Sequence, residues 1–246
     1  MKAIVLAAGY GTRLHPITES TPKPLIPVAG KPLIEHILLR ISELPRVEEI
    51  VLVTNEKYYK NFLDWVAGYT SPIPLVVLND GSSSNDDRLG AIGDIDFAVK
   101  SANVNDDVLV IAGDNLFDFS LVDLFRFFRS RAASVVALHD LKDPSKASGR
   151  YGVASVDSEF RIVGFEEKPA RPKSSLASTA CYFFTREDLA ELEKCIRENR
   201  KPDNLGDFIR WLSSRKSVYG FVFSERWFDI GSHDQLREAE EHWRRL

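Results

Sequence analysis

Cysteine is nearly absent from this 246-residue chain: only Cys181 and Cys195 occur, with no C-x-x-C and no histidine at metal-ligand spacing. A disulfide framework and a zinc site are therefore not expected. No run of 18 apolar residues occurs and no signal-peptide pattern opens the sequence. A membrane-spanning helix is thus excluded and a cytoplasmic protein expected. One-sided charge is lacking too. The net charge is −4 and there is no long basic run, which argues against nucleic acid as the main partner. Internal repeats are missing, and the only biased segment is NDGSSSNDD at 79–87, a polar loop expected to move when no ligand is bound. What remains, 44% hydrophobic and 28% charged residues, describes a globular chain long enough for one large α/β domain over 1–246.

Two familiar phosphate loops are also missing. No G-x-x-x-x-G-K-[ST] string exists, and the glycines of LAAGYGTRL (6–14) do not open into a helix, because Leu14, Pro16, Pro22, Pro24 and Pro27 intervene. The loop nevertheless suits a polyphosphate. Ala3 to Ala8 is an unalternating apolar run, as expected of a strand buried on both faces of a parallel sheet. Gly9 and Gly11 then let bare N–H groups approach phosphate oxygens. Arg13 can fork onto those oxygens, and Lys23, in TPKPLIPVAGKPL (21–33), adds a point charge.

Along the first half, strand signals at 50–54, 75–78, 108–112 and 134–138 alternate with helical stretches near 33–44, 57–66, 89–100 and 120–131. That alternation predicts a doubly wound, mostly parallel sheet, with ligands beyond the carboxyl ends of its strands. The second half is strand-rich. A hairpin is expected from 151–157 and 161–167, and a strand from 178–184. A helix capped by Thr185 with Asp188 follows, running to about Glu198. A helix near 205–214, a strand near 217–223 and a last helix from about Asp234 complete the pattern. This half is expected to lie over the sheet as a small lobe and to form the second wall of a cleft.

Asp114 follows the apolar run VLVIAG, and Asp229 ends the apolar stretch in WFDIG. A lone aspartate at a strand end fits a turn or a helix cap. A pair of them beside a phosphate loop fits Mg²⁺, which takes one or two carboxylates plus substrate oxygens. Lys168 in FEEKP could meet a second phosphate and Glu167 could accept from hydroxyl groups, although a solvated Glu/Lys cluster has the same spacing. His15, His36 and His139 share no spacing and are read as structural. FRFF at 125–128 is read as a buried helix face.

LAAGYGTRL, TPKPLIPVAGKPL, VIAGDN, YGV, EEKP and WFDIGS, in this order, resemble the sugar-phosphate nucleotidyltransferase family, notably glucose-1-phosphate thymidylyltransferases and mannose-1-phosphate guanylyltransferases. The resemblance implies a Rossmann-like fold with a mixed central sheet, a nucleotide-binding part at about 1–140 and a sugar-binding lobe at about 141–246. It implies transfer of a nucleotidyl group to a sugar 1-phosphate, glucose 1-phosphate or a related hexose, with release of pyrophosphate and with Mg²⁺. Its site residues would be Ala8, Gly9, Gly11, Thr12 and Arg13 on the triphosphate and Lys23 near the reacting phosphates. Asp114 and Asp229 would hold the metal, Lys168 the sugar phosphate, and Glu167, the Gly152 backbone and Thr179 the sugar. Arg13, Lys23, Asp114 and Lys168 form the catalytic set.

The chain departs from the family where the base is read. Relatives carry a glutamine or similar side chain at a strand end; here Asn79 and Asn85 compete for that role, with Gly90 at the helix start. For Thr179, a hydroxyl satisfied by backbone is the equal alternative. The appended left-handed β-helix of many relatives is not expected here, and a homo-oligomer is left open. Two other activities stay open as well: cytidylyl transfer to an alditol or amino-alcohol phosphate, and a non-catalytic subunit that binds nucleotide sugar and regulates a partner.

Overall fold

The apolar run at the start of the chain becomes an interior strand because helices cover both of its faces. In the computed structural model, which describes residues 1–198 and 203–245, the chain begins with β1 (Lys2–Leu6), the short pair β2 (Pro27–Val28) and β3 (Lys31–Pro32), and α1 (Leu33–Ser42). It continues through β4 (Glu49–Thr54), α2 (Glu56–Gly68), β5 (Leu75–Asn79), α3 (Gly90–Ser101), β6 (Val108–Ala112), β7 (Asn115–Phe117), α4 (Leu121–Arg131) and β8 (Val135–Asp140). The second half adds β9 (Val153–Val156), β10 (Ile162–Glu166), β11 (Leu176–Phe184), α5 (Arg186–Leu189), α6 (Leu192–Glu198), α7 (Leu205–Ser213), β12 (Tyr219–Phe223), β13 (Trp227–Asp229) and α8 (His233–Trp243).

Side chains alternate across β1, so each face feeds its own core. Ala3 and Val5 join Leu33, Ile34 and Ile37 of α1, Phe62 of α2 and Phe128 of α4. Ile4, on the other face, joins Ile92 and Ile95 of α3 and Phe208 and Ile209 of α7. All of these side chains are almost fully buried. Strands β5, β4, β1 and β6 are parallel neighbours in that order. Leu6 pairs with Ala112, so the loops after β1 and β6 leave the sheet at the same end.

Helix α7 of the second half lies over this sheet, but the strands of that half do not. They extend it: β11 pairs antiparallel with β6, β8 and β9, and β10 and β12 lie beyond. The expected uniform strand at 178–184 carries a register shift between Ser178 and Tyr182, with Ala180 at a positive φ of 52°. A bulge of this kind bends the strand, which lets β11 pair with β6 through Cys181–Phe184 and with β9 through Leu176–Ala177.

One expected helix is two. Thr185 caps as read, accepting from the Asp188 N–H at 3.1 Å, but Asp188 does not reach back to it. Its buried carboxylate instead accepts from Ser134 Oγ at 2.6 Å and Lys216 Nζ at 3.0 Å. That tether holds the first turn, which tightens where Glu191 N–H donates to the Asp188 carbonyl, and a new helix starts at Leu192. Among the described residues, no helix is long and apolar enough to cross a membrane.

Candidate active site

The loops leaving β1 and β6 border a cleft of about 500 Å³. Its wall runs from Ala8, Gly9, Tyr10 and Arg13 past Lys23, Asp114 and Asp229 to Gly152, Glu167, Lys168 and Thr179. Residues 100 or more apart in sequence are therefore brought to one cavity. Asn85 and Gly90 line it as well.

Lys23 and Asp114 form a part-buried ion pair in the cleft, with Nζ 2.8 Å from Oδ2 and the two side chains 13% and 27% exposed. The other Asp114 oxygen accepts from Asn115 Nδ2 at 2.8 Å, and Asn115 Oδ1 in turn accepts from Trp227 Nε1 at 2.6 Å. Burial alone would raise the Asp114 carboxyl, but the Lys23 ammonium outweighs it and holds it below the ordinary range. Asp229 comes alongside through β13, which pairs with β7 and sets Asp229 opposite Asn115. Burial first, and repulsion from Asp114 second, push its carboxyl up to about 6, against the pull of Lys23, Arg13 and Arg150. The two acids therefore shift in opposite directions: Lys23 favours the Asp114 carboxylate, while burial and Asp114 hold Asp229 toward its acid form.

Glycines make room at three points where a Cβ would collide. At Gly113 it would stand 3.0 Å from the Leu6 carbonyl oxygen and 3.2 Å from Pro24 Cγ, so Asp114 reaches the cleft only on a glycine turn. At Gly231 it would meet the Arg13 guanidinium at 3.0 Å. At Gly152 it would press on Phe165 and, at 3.0 Å, on Glu167 Oε2; Gly206 lies against the same two side chains. Burial, with the Asp207 charge adding, raises the Glu167 carboxyl against Lys168, whose Nζ is 3.8 Å away. Lys168 itself takes a left-handed backbone (φ 44°) and is half exposed, at the cleft margin.

Some of the expected residues take other places. Asn79 is not on the cleft wall; its amide donates to Glu56 and its oxygen accepts from Gly81 N–H at 2.9 Å. Gly11 and Thr12 are also off the wall. Gly11 supplies the turn, at φ 61°, and its carbonyl accepts from Thr18 Oγ1 at 2.7 Å, while Thr12 starts a short 3-10 turn. Thr179 lines the cleft, but its buried hydroxyl donates to the Ala137 carbonyl at 3.0 Å, as the backbone-satisfied alternative requires. Asn115, Arg150, Tyr151 and Trp227 line the cleft too, although no motif argument pointed to them individually. Each is adjacent to, or within two residues of, a residue that was singled out, so the strings GDN, YGV and WFDIG carried the signal.

This arrangement defines an α/β protein whose ligand cleft lies beyond the carboxyl ends of parallel strands and is lined by paired acids and cations. A family model described as Nucleotidyl transferase matches residues 2–245, and the chain belongs to that family. It is 33% identical over 244 residues to the bifunctional protein GlmU of Methanocaldococcus jannaschii, covering 98% of this chain and 54% of that protein. GlmU of Methanococcus aeolicus is 32% identical, with the same coverage. The chain thus spans about half the length of the curated relatives it matches. A Bacillus anthracis structure assigned as a glucose-1-phosphate thymidylyltransferase, solved with sucrose, superposes with a TM-score of 0.87 at 26% identity, covering 100% of this chain and 96% of that one. The apo form of a UDP-glucose pyrophosphorylase gives 0.83 at 22% identity, covering both chains fully, and shares the mixed-sheet fold.

Proposed function

We propose that this chain joins a nucleoside triphosphate to a sugar 1-phosphate, giving a nucleoside-diphosphate sugar and pyrophosphate. The observation that carries the reading is one cleft lined by the glycine loop, the Lys23–Asp114 pair with Asp229, and Glu167–Lys168. A phosphate oxygen of the sugar 1-phosphate would form a bond to the α-phosphorus as the bond to the bridging oxygen of pyrophosphate breaks. Two anions must meet, and no strong base is required. Ala8 and Gly9 offer backbone to the triphosphate, and Arg13, exposed and packed on Gly231, reaches its oxygens. Lys23 neutralises charge developing on the leaving group, and Lys168 neutralises the incoming phosphate. Glu167 accepts from sugar hydroxyls.

Asp114 and Asp229 fit Mg²⁺ by their chemistry: two hard oxygen donors, one of them destabilised by the other, and no third His, Cys, Asp or Glu gathered with them among the described residues. When bound between Asp114 and Asp229, the ion would offset the charge of the phosphates. Glucose 1-phosphate or a related hexose 1-phosphate is the proposed acceptor.

Pyrophosphate release across five triphosphates and the glucose, mannose, galactose and N-acetylglucosamine 1-phosphates tests this reading. One strong combination is expected, and folded protein inactive across the whole grid would overturn it. The glycine cradle gives a second test. Gly206→Ala forces Glu167 and Phe165 to shift, a strain of about 1–3 kcal/mol. It is expected to raise the KM for the sugar 1-phosphate about tenfold while the KM for the triphosphate stays within twofold, read from steady-state kinetics.

A further inference from the structure

The glycine loop after β1 is hydrogen-bonded through its oxygens and not through its amides. Ala7 accepts from Thr54 Oγ1 at 3.3 Å, Ala8 from Asn55 Nδ2 at 2.8 Å, Tyr10 from the Tyr58 hydroxyl at 3.1 Å and Gly11 from Thr18 Oγ1 at 2.7 Å. From Ala8 through Thr12, by contrast, no backbone N–H finds an acceptor among the described residues. The carbonyl and the N–H of a trans peptide point in opposite directions. Drawing the Ala8 oxygen to Asn55 therefore turns the Gly9 N–H away from Asn55, and drawing the Tyr10 oxygen to Tyr58 does the same for Gly11. Ala8, Gly9 and Tyr10 line the cleft, whereas Asn55 and Tyr58 are buried behind the loop and do not.

Resting on the nucleotidyl-transfer reading, we propose that Asn55, seconded by Tyr58, is a positioning residue for the triphosphate: it holds the Ala8–Gly9 peptide so that bare amides face the polyphosphate before it arrives. Asn55 has a second task, since its Oδ1 accepts from Tyr58 N–H at 3.1 Å and caps α2. Capping alone does not call for asparagine, because serine, threonine and aspartate cap as well. The loop does call for it. An ionised aspartate has no donor for the Ala8 oxygen, and the hydroxyl side chains are shorter, while an amide accepts with one end and donates with the other. Without that donor the peptide turns freely, because Gly9 has no side chain to resist rotation, and a carbonyl oxygen facing the cleft repels phosphate. Fixing it in advance removes an ordering cost from binding.

The test is calorimetric binding of inorganic tripolyphosphate and of glucose 1-phosphate, with Mg²⁺, to the intact chain and to its Asn55→Ser and Tyr58→Phe variants, beside their melting temperatures. Serine keeps a cap on α2 and is too short to reach Ala8; phenylalanine keeps the ring and loses the hydroxyl. Asn55→Ser should bind tripolyphosphate about tenfold more weakly and Tyr58→Phe about three- to tenfold, with glucose 1-phosphate within about twofold of the unaltered chain. Tyr58→Phe carries the test alone if the serine variant does not fold. A merely structural Asn55 would lower the melting temperature and leave tripolyphosphate affinity, measured well below melting, unmoved. That result overturns the inference, as does equal weakening of both ligands or an unaltered chain that binds no tripolyphosphate. None of these outcomes touches nucleotidyl transfer, which the pyrophosphate-release grid tests separately. A blank grid alongside a tripolyphosphate site that Asn55→Ser weakens would overturn the transfer reading and sustain the role of Asn55.

Discussion

Lys23→Ala and Asp114→Asn should each lower turnover about a hundredfold or more, the scale of removing one preorganised electrostatic stabiliser. Without substrate the two groups neutralise each other at 2.8 Å, so neither needs to be recruited from solvent when phosphate arrives. Replacing the ammonium leaves Asp114 beside Asp229 with less cation, and both carboxyls rise. Replacing the carboxylate removes a donor that Mg²⁺ would use and frees Lys23 to a position the pair no longer fixes. Because each variant disables the same unit, the double variant should lose little more than the worse single one, which departs from additivity. Steady-state turnover, together with melting temperatures that show the variants folded, checks this. Turnover within threefold of the unaltered chain in either variant would remove the pair from the mechanism.

What the sequence made legible were features set by local chemistry. The unalternating run at 108–112 is the strand β6 to the residue, since a strand covered on both faces has no polar alternation to blur its ends. Asp114 and Asp229 stood out because each terminates an apolar run. The bulge in β11 was hidden, since Thr179 and Ala180 are ordinary strand residues and the irregularity comes from pairing with β8 and β9 at once. The burial of Asp94, which lines the cleft from α3 and is 6% exposed, was hidden for a related reason. A charged residue four beyond a helix start normally faces water. The distant 203–206 segment packs on the start of its helix, where Ala91 N–H donates to the Asp203 carbonyl at 3.0 Å. Asn79, by contrast, looked like a base reader from its place at a strand end, and the neighbouring Glu56 on α2 holds it instead.

Asp229→Asn should make the metal-free protein more stable while abolishing most of its activity. The Asp229 carboxyl is held up at about 6 by burial and by Asp114, so the folded state favours its protonated form. Its contribution is therefore fully favourable below the unfolded value near 4 and is lost as pH rises toward 6. At pH 7.5 the ionised group therefore costs the fold stability, because protonating it is easier in the folded chain than in the unfolded one. Asparagine keeps the shape and carries no charge. With metal removed by EDTA, the variant should melt about 5 °C or more above the unaltered chain at pH 7.5. The gap should close at pH 4, where both side chains are neutral. Adding Mg²⁺ should then raise the melting temperature of the unaltered chain and leave the variant nearly unmoved, because binding to the folded state alone stabilises it. A variant that melts lower at pH 7.5, or one that responds equally to Mg²⁺, would mean that Asp229 is a structural acid. The activity lost with the charge and the stability gained by losing it have the same origin, a carboxylate that is buried first and set beside Asp114 second.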